Sequence, residues 1–217
     1  MSNYTVHVPP PCEEEVRVIF ADEHIIVVDK PAGLLSVPGR FVKDCVVQRL
    51  QFEYPDISVV HRLDLDTSGV LVFANSKLAV SALNRYFRER TIEKSYEALV
   101  YGTLQEEQGE IDLSLQPDPV NRPRQMVSET GKAALTRYQL LTVQDGCSRV
   151  SLKPVTGRSH QLRVHCAEIG HPILGCDLYA HQRAFDMASR LMLHARSLSF
   201  KHPLSHELMT FDTEVPF

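Results

Sequence analysis

Two apolar runs frame the most polar turn in the chain. Val59-Val60 leads into His61-Arg62-Leu63-Asp64-Leu65-Asp66-Thr67-Ser68-Gly69, and Val70-Leu71-Val72-Phe73-Ala74 follows. The second run is β-branched and aromatic, which predicts a buried strand. Gly69 and the Thr67 and Ser68 hydroxyls suit a tight turn just before it. Upstream, Val16–Phe20 and Ile25–Val28 predict a hairpin that turns at Ala21–His24. Asp29–Arg40 carries two Pro and two Gly and reads as an irregular loop. Such loops often line sites, although a plain connector is the simpler reading. Asp44 is placed to cap a short helix reaching Phe52.

Downstream, Ser76 caps a helix running to about Arg90. Ala79, Val80, Leu83, Tyr86 and Phe87 share one face; Ser81, Asn84, Arg85 and Arg88 share the other. Lys94–Tyr101 alternates as a strand that Gly102 ends, and Gly109–Leu115 reads as another. A turn-rich stretch from Gln116 to Lys132 precedes strands at Ala134–Val143 and Arg149–Val155. Lys153–His165 runs from strand through Gly157 into a helix capped by Ser159, with Leu162, His165, Cys166 and Ile169 inward and Gly170 ending it. Leu191–Ala195 and Ser197–Phe200 read as closing strands. There is no internal repeat and no clean linker, so the pattern predicts one α+β domain on a largely antiparallel sheet, with two lobes and a cleft. The expected layout is a poorly ordered Pro/Glu-rich tail over residues 1–15 and a single domain over 16–217.

Composition narrows the class. The chain has 217 residues, 43% of them hydrophobic, which suits a globular core and not a disordered chain. No apolar run is long enough to span a bilayer and no signal peptide opens the chain, so a cytoplasmic protein without membrane contact is expected. Five scattered cysteines without a CxxC pair point to free thiols in a reducing compartment. The net charge of −4 does not by itself suggest nucleic acid. Its distribution does. Between Asn121 and His165 stand Arg122, Arg124, Lys132, Arg137, Arg149, Lys153, Arg158 and Arg163, against only Glu129 and Asp145. A solvated charged face is the usual meaning of such a run; a phosphate-binding face is the sharper one.

Asp64 is the leading chemical candidate. A lone Asp in a turn usually satisfies its own backbone, but His61, Arg62 and Asp66 crowd the same few residues. Asp64-Leu65-Asp66-Thr67 has the DxDxT form of a phosphatase loop, yet His61-Arg62 stand where an apolar strand should. Asp66-Thr67-Ser68-Gly69 is a faint aspartic-protease pattern without its second copy. His160, His165, His171 and His194 could suggest a metal, but His160 and His165 are five apart, off the helical i, i+4 spacing, so no metal is expected.

The pieces KPAGLLSVPGR, VHRLDLDTSG, KSYEALVYG, TGRSHQLRVH, GHPILGCDLYA and LMLHA, in this order over most of Ile19–His202, closely resemble the RluA-type pseudouridine synthases. That resemblance implies a mixed, mainly antiparallel central sheet with flanking helices and a central RNA-binding cleft. It implies a catalytic Asp64, a Tyr96 that lies against the target base and an Arg163 paired with the aspartate. With an RNA substrate implied, contacts to it are expected from Arg62 and His61 beside the Asp64 turn and from Arg122, Arg124, Lys132, Arg158 and His160 in the basic segment, with no cofactor and no metal. No S4-type RNA-binding domain is expected before Ile19, and a monomer is expected. The short length and the VPGR and NRPRQ loops look most like members that modify both large-subunit (23S) rRNA and the tRNA anticodon stem-loop. A non-catalytic RNA-binding module is the alternative from another class. The joint presence of Asp64, Tyr96 and Arg163 weighs against it. The reaction breaks the ribose C1′ to uracil N1 bond and remakes it to C5; a carboxylate can serve as nucleophile or as base.

Overall fold

The computed structural model describes residues 9–217. Its first elements are β1 (Arg17–Ala21), β2 (Ile25–Lys30), α1 (Val46–Leu50), β3 (Ser58–Val59), β4 (Ser68–Ala74), α2 (Lys77–Glu89) and β5 (Glu93–Tyr101). Then come β6 (Gln108–Asp112), β7 (Leu115–Pro117), β8 (Gln125–Val127), β9 (Leu135–Gln144), β10 (Cys147–Pro154), α3 (Gln161–Glu168), α4 (Gln182–Asp186), β11 (Leu193–Lys201) and β12 (Leu208–Asp212). The fold is α+β with a mainly antiparallel sheet. The described chain forms two compact units: one holds residues 9–94 with His194–Pro216, the other Ser95–Leu193 with Phe217. They are called here the Asp64 unit and the Tyr96 unit.

In the Asp64 unit, β2 pairs antiparallel with β1 and β4, β3 adds to β4, and β12 pairs antiparallel with β11. The β4–β11 pair is parallel. Every residue of β4 is buried, as its unbroken apolar run requires of a strand covered on both faces. Val70 and Val72 join Ile25, Val27, Phe200 and Phe211, and α2 closes this cluster with Ala79, Leu83 and Tyr86. Gly69 does more than serve a turn. Its φ is +109°, and a Cβ there would run into the backbone of Ala195, its partner on β11. Only glycine lets the parallel strand approach so closely.

The β1–β2 hairpin and α2 stand as the pattern predicts, with the Ser76 hydroxyl accepting from the Ala79 amide. The short helix begins later than expected. Cys45 caps α1 by accepting from the Gln48 amide, and the predicted cap Asp44 pairs with Arg49 at 2.6 Å. That bond holds the Asp44 carboxyl below the usual range. Of the expected N-terminal tail, residues 1–8 lie outside the described residues. The Cys12 and Glu14 carbonyls both accept from the Arg49 guanidinium.

In the Tyr96 unit, β5, β10, β9 and β6 pair antiparallel in that order, and β7–β8 form a separate hairpin. The strand expected over Gly109–Leu115 is therefore broken. β6 ends at Asp112, and Leu115 exchanges backbone bonds with Lys132 inside the stretch that read as turns. The helix α3 also departs from expectation. Ser159 does not cap it; His160 stands at the cap in a left-handed conformation (φ 54°), its side chain making no bond to the helix's own first amides. Gln161–Cys166 are all buried while Ile169 is exposed, so the predicted inward face is wrong at its last position. The reason is that α3 is enclosed all round, including its arginine. The two expected closing strands are one, β11, and α4 and β12 had no periodic signal. Among the described residues no helix is long and apolar enough to cross a membrane.

Candidate active site

Asp64 is half-buried on the loop before β4, and the backbone on both its sides is held by side chains. The Ser36 hydroxyl, itself buried, donates to the Leu63 carbonyl (2.8 Å) and accepts from the Leu63 amide (3.1 Å). The Leu65 carbonyl accepts from the Gly33 amide (3.0 Å) and from Lys30 Nζ (2.8 Å). Lys30 has no exposed surface, and its ammonium also donates to the carbonyls of Pro31 and Leu34. Burying an ammonium costs several kcal/mol unless its donors are used; here three carbonyls take them. The effect is to fasten the Pro- and Gly-rich loop to the Asp64 loop. Thr67 N–H closes the turn onto the Asp64 carbonyl (3.3 Å). A carboxylate on a loop so held has a fixed aim, which is what acid–base or nucleophilic work requires.

Its neighbours divide in role. Arg62 is exposed. His61 accepts from the Val72 amide through Nε2 (3.1 Å), and its ring packs on Phe87 with centroids 4.6 Å apart. Burial, helped by the Lys94 ammonium, pushes its pKa down to about 3. The ring is therefore neutral, protonated on Nδ1, and pins the segment before Asp64 to β4. After the loop, Ser68 Oγ meets His194 Nδ1 and His194 Nε2 meets Thr213 Oγ1, both at 2.8 Å and buried.

In the Tyr96 unit, Arg163 is 3% exposed on α3. Its Nη2 donates to Asp177 Oδ1 at 2.5 Å, its Nε to Cys176 Sγ at 3.3 Å, and its guanidinium lies 5.4 Å from the Tyr179 ring centroid. The turn that delivers these partners depends on Gly175, at φ +69°, where a Cβ would strike the Arg190 carbonyl. Gln161 orients the start of α3 with four bonds. Its carbonyl accepts from Thr156 Oγ1 (2.7 Å) and the Arg158 amide (3.0 Å); its amide donates to Leu135 O and Thr136 Oγ1, both at 3.0 Å. That exhausts the bonding capacity of a buried amide.

Tyr179 gathers several predicted residues. Its hydroxyl accepts from the Gln125 amide (2.8 Å) and meets His160 Nδ1 (2.6 Å), and Arg124 lies 5.3 Å from its ring. Burial pushes its pKa up to about 12, so it keeps its proton. Arg124, His160 and Arg163 are thus brought around one ring. Arg122 and Lys132 are exposed, and Arg158 Nε donates to Ala133 O. Tyr96 is half-buried on β5 opposite Leu152, at the edge of the Ala98–Val100–Leu152–Leu162 cluster. His165 bonds Thr136 Oγ1 and Leu113 O, and His171 bonds Tyr101 O. Among the described residues no group of three or more metal ligands gathers.

Sequence reasoning missed Lys30, Ser36, Gln161, Asp177 and Tyr179. All lie in stretches that carry the family pattern or directly adjoin its turns, but each is an ordinary polar residue until its partners are seen.

Residues 24–168 match the family described as RNA pseudouridylate synthase. The dual-specificity RNA pseudouridine synthase RluA of Yersinia pestis is 52% identical over 204 residues, covering 92% of this chain and 99% of the relative. That of Escherichia coli (strain K12) is 49% identical over 221 residues, covering 100% and 99%. Among solved structures, human RNA Pseudouridylate Synthase Domain Containing 1 superposes with a TM-score of 0.83 at 30% identity, covering 97% of this chain and 87% of that one.

Proposed function

The chain belongs to the RNA pseudouridylate synthase family, an isomerase that converts uridine in RNA to pseudouridine, and from that premise we propose its targets and the residues that act on them. The targets are uridines in two RNAs, 23S rRNA and the tRNA anticodon stem-loop. The observation that carries this is identity near 50% across the whole chain to enzymes named for dual specificity. Asp64 is the nucleophile or base, Tyr96 the ring against the flipped uracil, and Arg163 the arginine that serves the aspartate. What supports Asp64 is the clamp of Ser36 and Lys30 on its two neighbours. What supports Arg163 is its burial in a fixed setting of Asp177, Cys176 and Tyr179.

Flipping a base costs a few kcal/mol, and an aromatic face returns about 1–3 kcal/mol by stacking. Arg62, Arg122, Arg124, Lys132 and Arg158 supply phosphate contacts; His61 and His160 act through the backbone and the ring they hold. The enzyme works as a monomer in the cytoplasm; the free cysteines support the reducing compartment. Purified protein is to be given each RNA separately, labelled with tritium at uridine C5. Release from both supports dual targeting; release from one alone rejects it.

A further inference from the structure

We propose that the exposed Arg40-Phe41 tip binds an unpaired nucleobase of the RNA beside the target uridine, with the Phe41 ring as stacking platform. The tip belongs to a closed loop. Its neck is the Leu35–Cys45 bridge, reinforced by the Val46 amide on the Leu35 carbonyl at 2.9 Å. Its apex is a tight turn in which the Gly39 amide donates to the Val42 carbonyl at 2.8 Å. Lys43 Nζ holds the carbonyls of Gly39 (2.9 Å) and Arg40 (3.4 Å). So the tip is presented by an ordered turn, and yet Phe41 is 59% exposed. The Arg40 guanidinium lies 5.2 Å from its ring centroid and leaves ring surface open.

Three facts select RNA as the occupant. The first is charge: between the neck residues Leu35 and Cys45 stand Arg40 and Lys43 against one acid, Asp44, which is already paired with Arg49. A cation beside an open aromatic face is how single-stranded nucleic acid is held without sequence readout. Phe52, fully exposed elsewhere in this unit, adjoins Glu53 and lacks that complement. The second is isolation: between Leu35 and Cys45 Phe41 is the one large apolar side chain that stands exposed, whereas a protein partner calls for a contiguous apolar patch. The third is placement. The loop starts at Ser36, which grips Leu63, the residue before Asp64. Phe41 is five residues along the chain from Ser36, a reach of at most about 18 Å. That spans the few nucleotides on either side of a base at Asp64.

This rests on the reading of Asp64 as the reacting carboxylate, so its test includes a readout independent of catalysis. Binding of an anticodon stem-loop RNA is to be measured for wild type, Phe41→Ala, Phe41→Tyr and Arg40→Gln, with 2-aminopurine at each loop position flanking the target in turn. Phe41→Ala weakens binding about fivefold or more with the thermal midpoint unchanged, and Phe41→Tyr restores it. One 2-aminopurine position is quenched by wild type and not by Phe41→Ala. Binding by Phe41→Ala within about twofold of wild type, with no position differing in quench, overturns the proposal. So does a change in self-association by sedimentation without a change in RNA affinity, since that assigns the tip to a second copy of the chain. Asp64→Asn is assayed in parallel: turnover there defeats the reading of Asp64 and leaves the Phe41 binding result standing or falling by itself.

Discussion

Removing one hydroxyl should loosen the Asp64 loop without touching Asp64 itself. Ser36 is buried, and its Oγ serves both the amide and the carbonyl of Leu63. Ser36→Ala deletes both bonds and adds no bulk. Each bond contributes about 0.5–1.5 kcal/mol net, and a buried peptide group left without a partner costs about 1–3 kcal/mol. Because both orphaned groups belong to one residue, a single relaxation can partly rescue them, so the expected loss lies near 2–4 kcal/mol. The functional loss follows from geometry. A misplacement of about 1 Å at a reacting group costs up to about 10²-fold in rate. Urea unfolding gives the stability, single-turnover tritium release gives the rate, and hydrogen exchange at the Leu63 amide reports the bond itself. The variant should lose stability, exchange Leu63 faster and turn over at least about tenfold more slowly, with RNA affinity retained. A loss under about 0.5 kcal/mol together with a wild-type rate refutes the view that this clamp aims Asp64.

His61 makes acid destabilising: unfolded it titrates near 6.5, folded near 3, so stability is full above pH 6.5 and falls as pH drops toward 3. The slope approaches about 1.4 kcal/mol per pH unit, less what water at the ring edge returns; urea midpoints at pH 7 and 5 should separate for wild type and converge for His61→Gln, and equal separations reject the neutral-ring reading. Arg163→Lys loses the fork that serves Asp177 and Cys176, so the rate should fall more than about tenfold; a rate within about twofold, under roughly 0.5 kcal/mol of barrier, rejects a specific role. Tyr96→Phe keeps the aromatic ring and loses the hydroxyl. If that hydroxyl helps remove the C5 proton, a single-turnover course with C5-deuterated uridine should show an isotope effect absent in wild type, and a slowing of about 10²–10⁴-fold; a wild-type rate leaves Tyr96 as a platform only.

Local pattern carried the parts of the fold whose apolar positions are dense. The buried β4, the β1–β2 hairpin and the amphipathic α2 follow directly from periodicity and the Ser76 cap. Elements stabilised by distant partners did not show. β12 buries only Phe211 and exists because β11 pairs with it. The cap expected at Asp44 failed because Arg49, five residues on, is a stronger partner than an amide. The inward face of α3 was misjudged because Arg163 and Gln161 are buried, which no hydrophobicity pattern signals. The candidate site shows the same division. Asp64, Tyr96 and Arg163 were named from motifs, whereas Lys30, Ser36 and Tyr179, which hold the loops in place, needed coordinates to reveal their bonds.

The central claim is that Asp64 performs the chemistry while other groups hold the RNA. It is tested most directly by Asp64→Asn, which keeps the side chain's size and removes its charge. The measurement is single-turnover tritium release from RNA labelled at uridine C5, alongside the affinity of the same protein for the same RNA. The account expects no release, with affinity within about twofold of wild type and unfolding unchanged. Measurable release by the folded Asp64→Asn protein contradicts it.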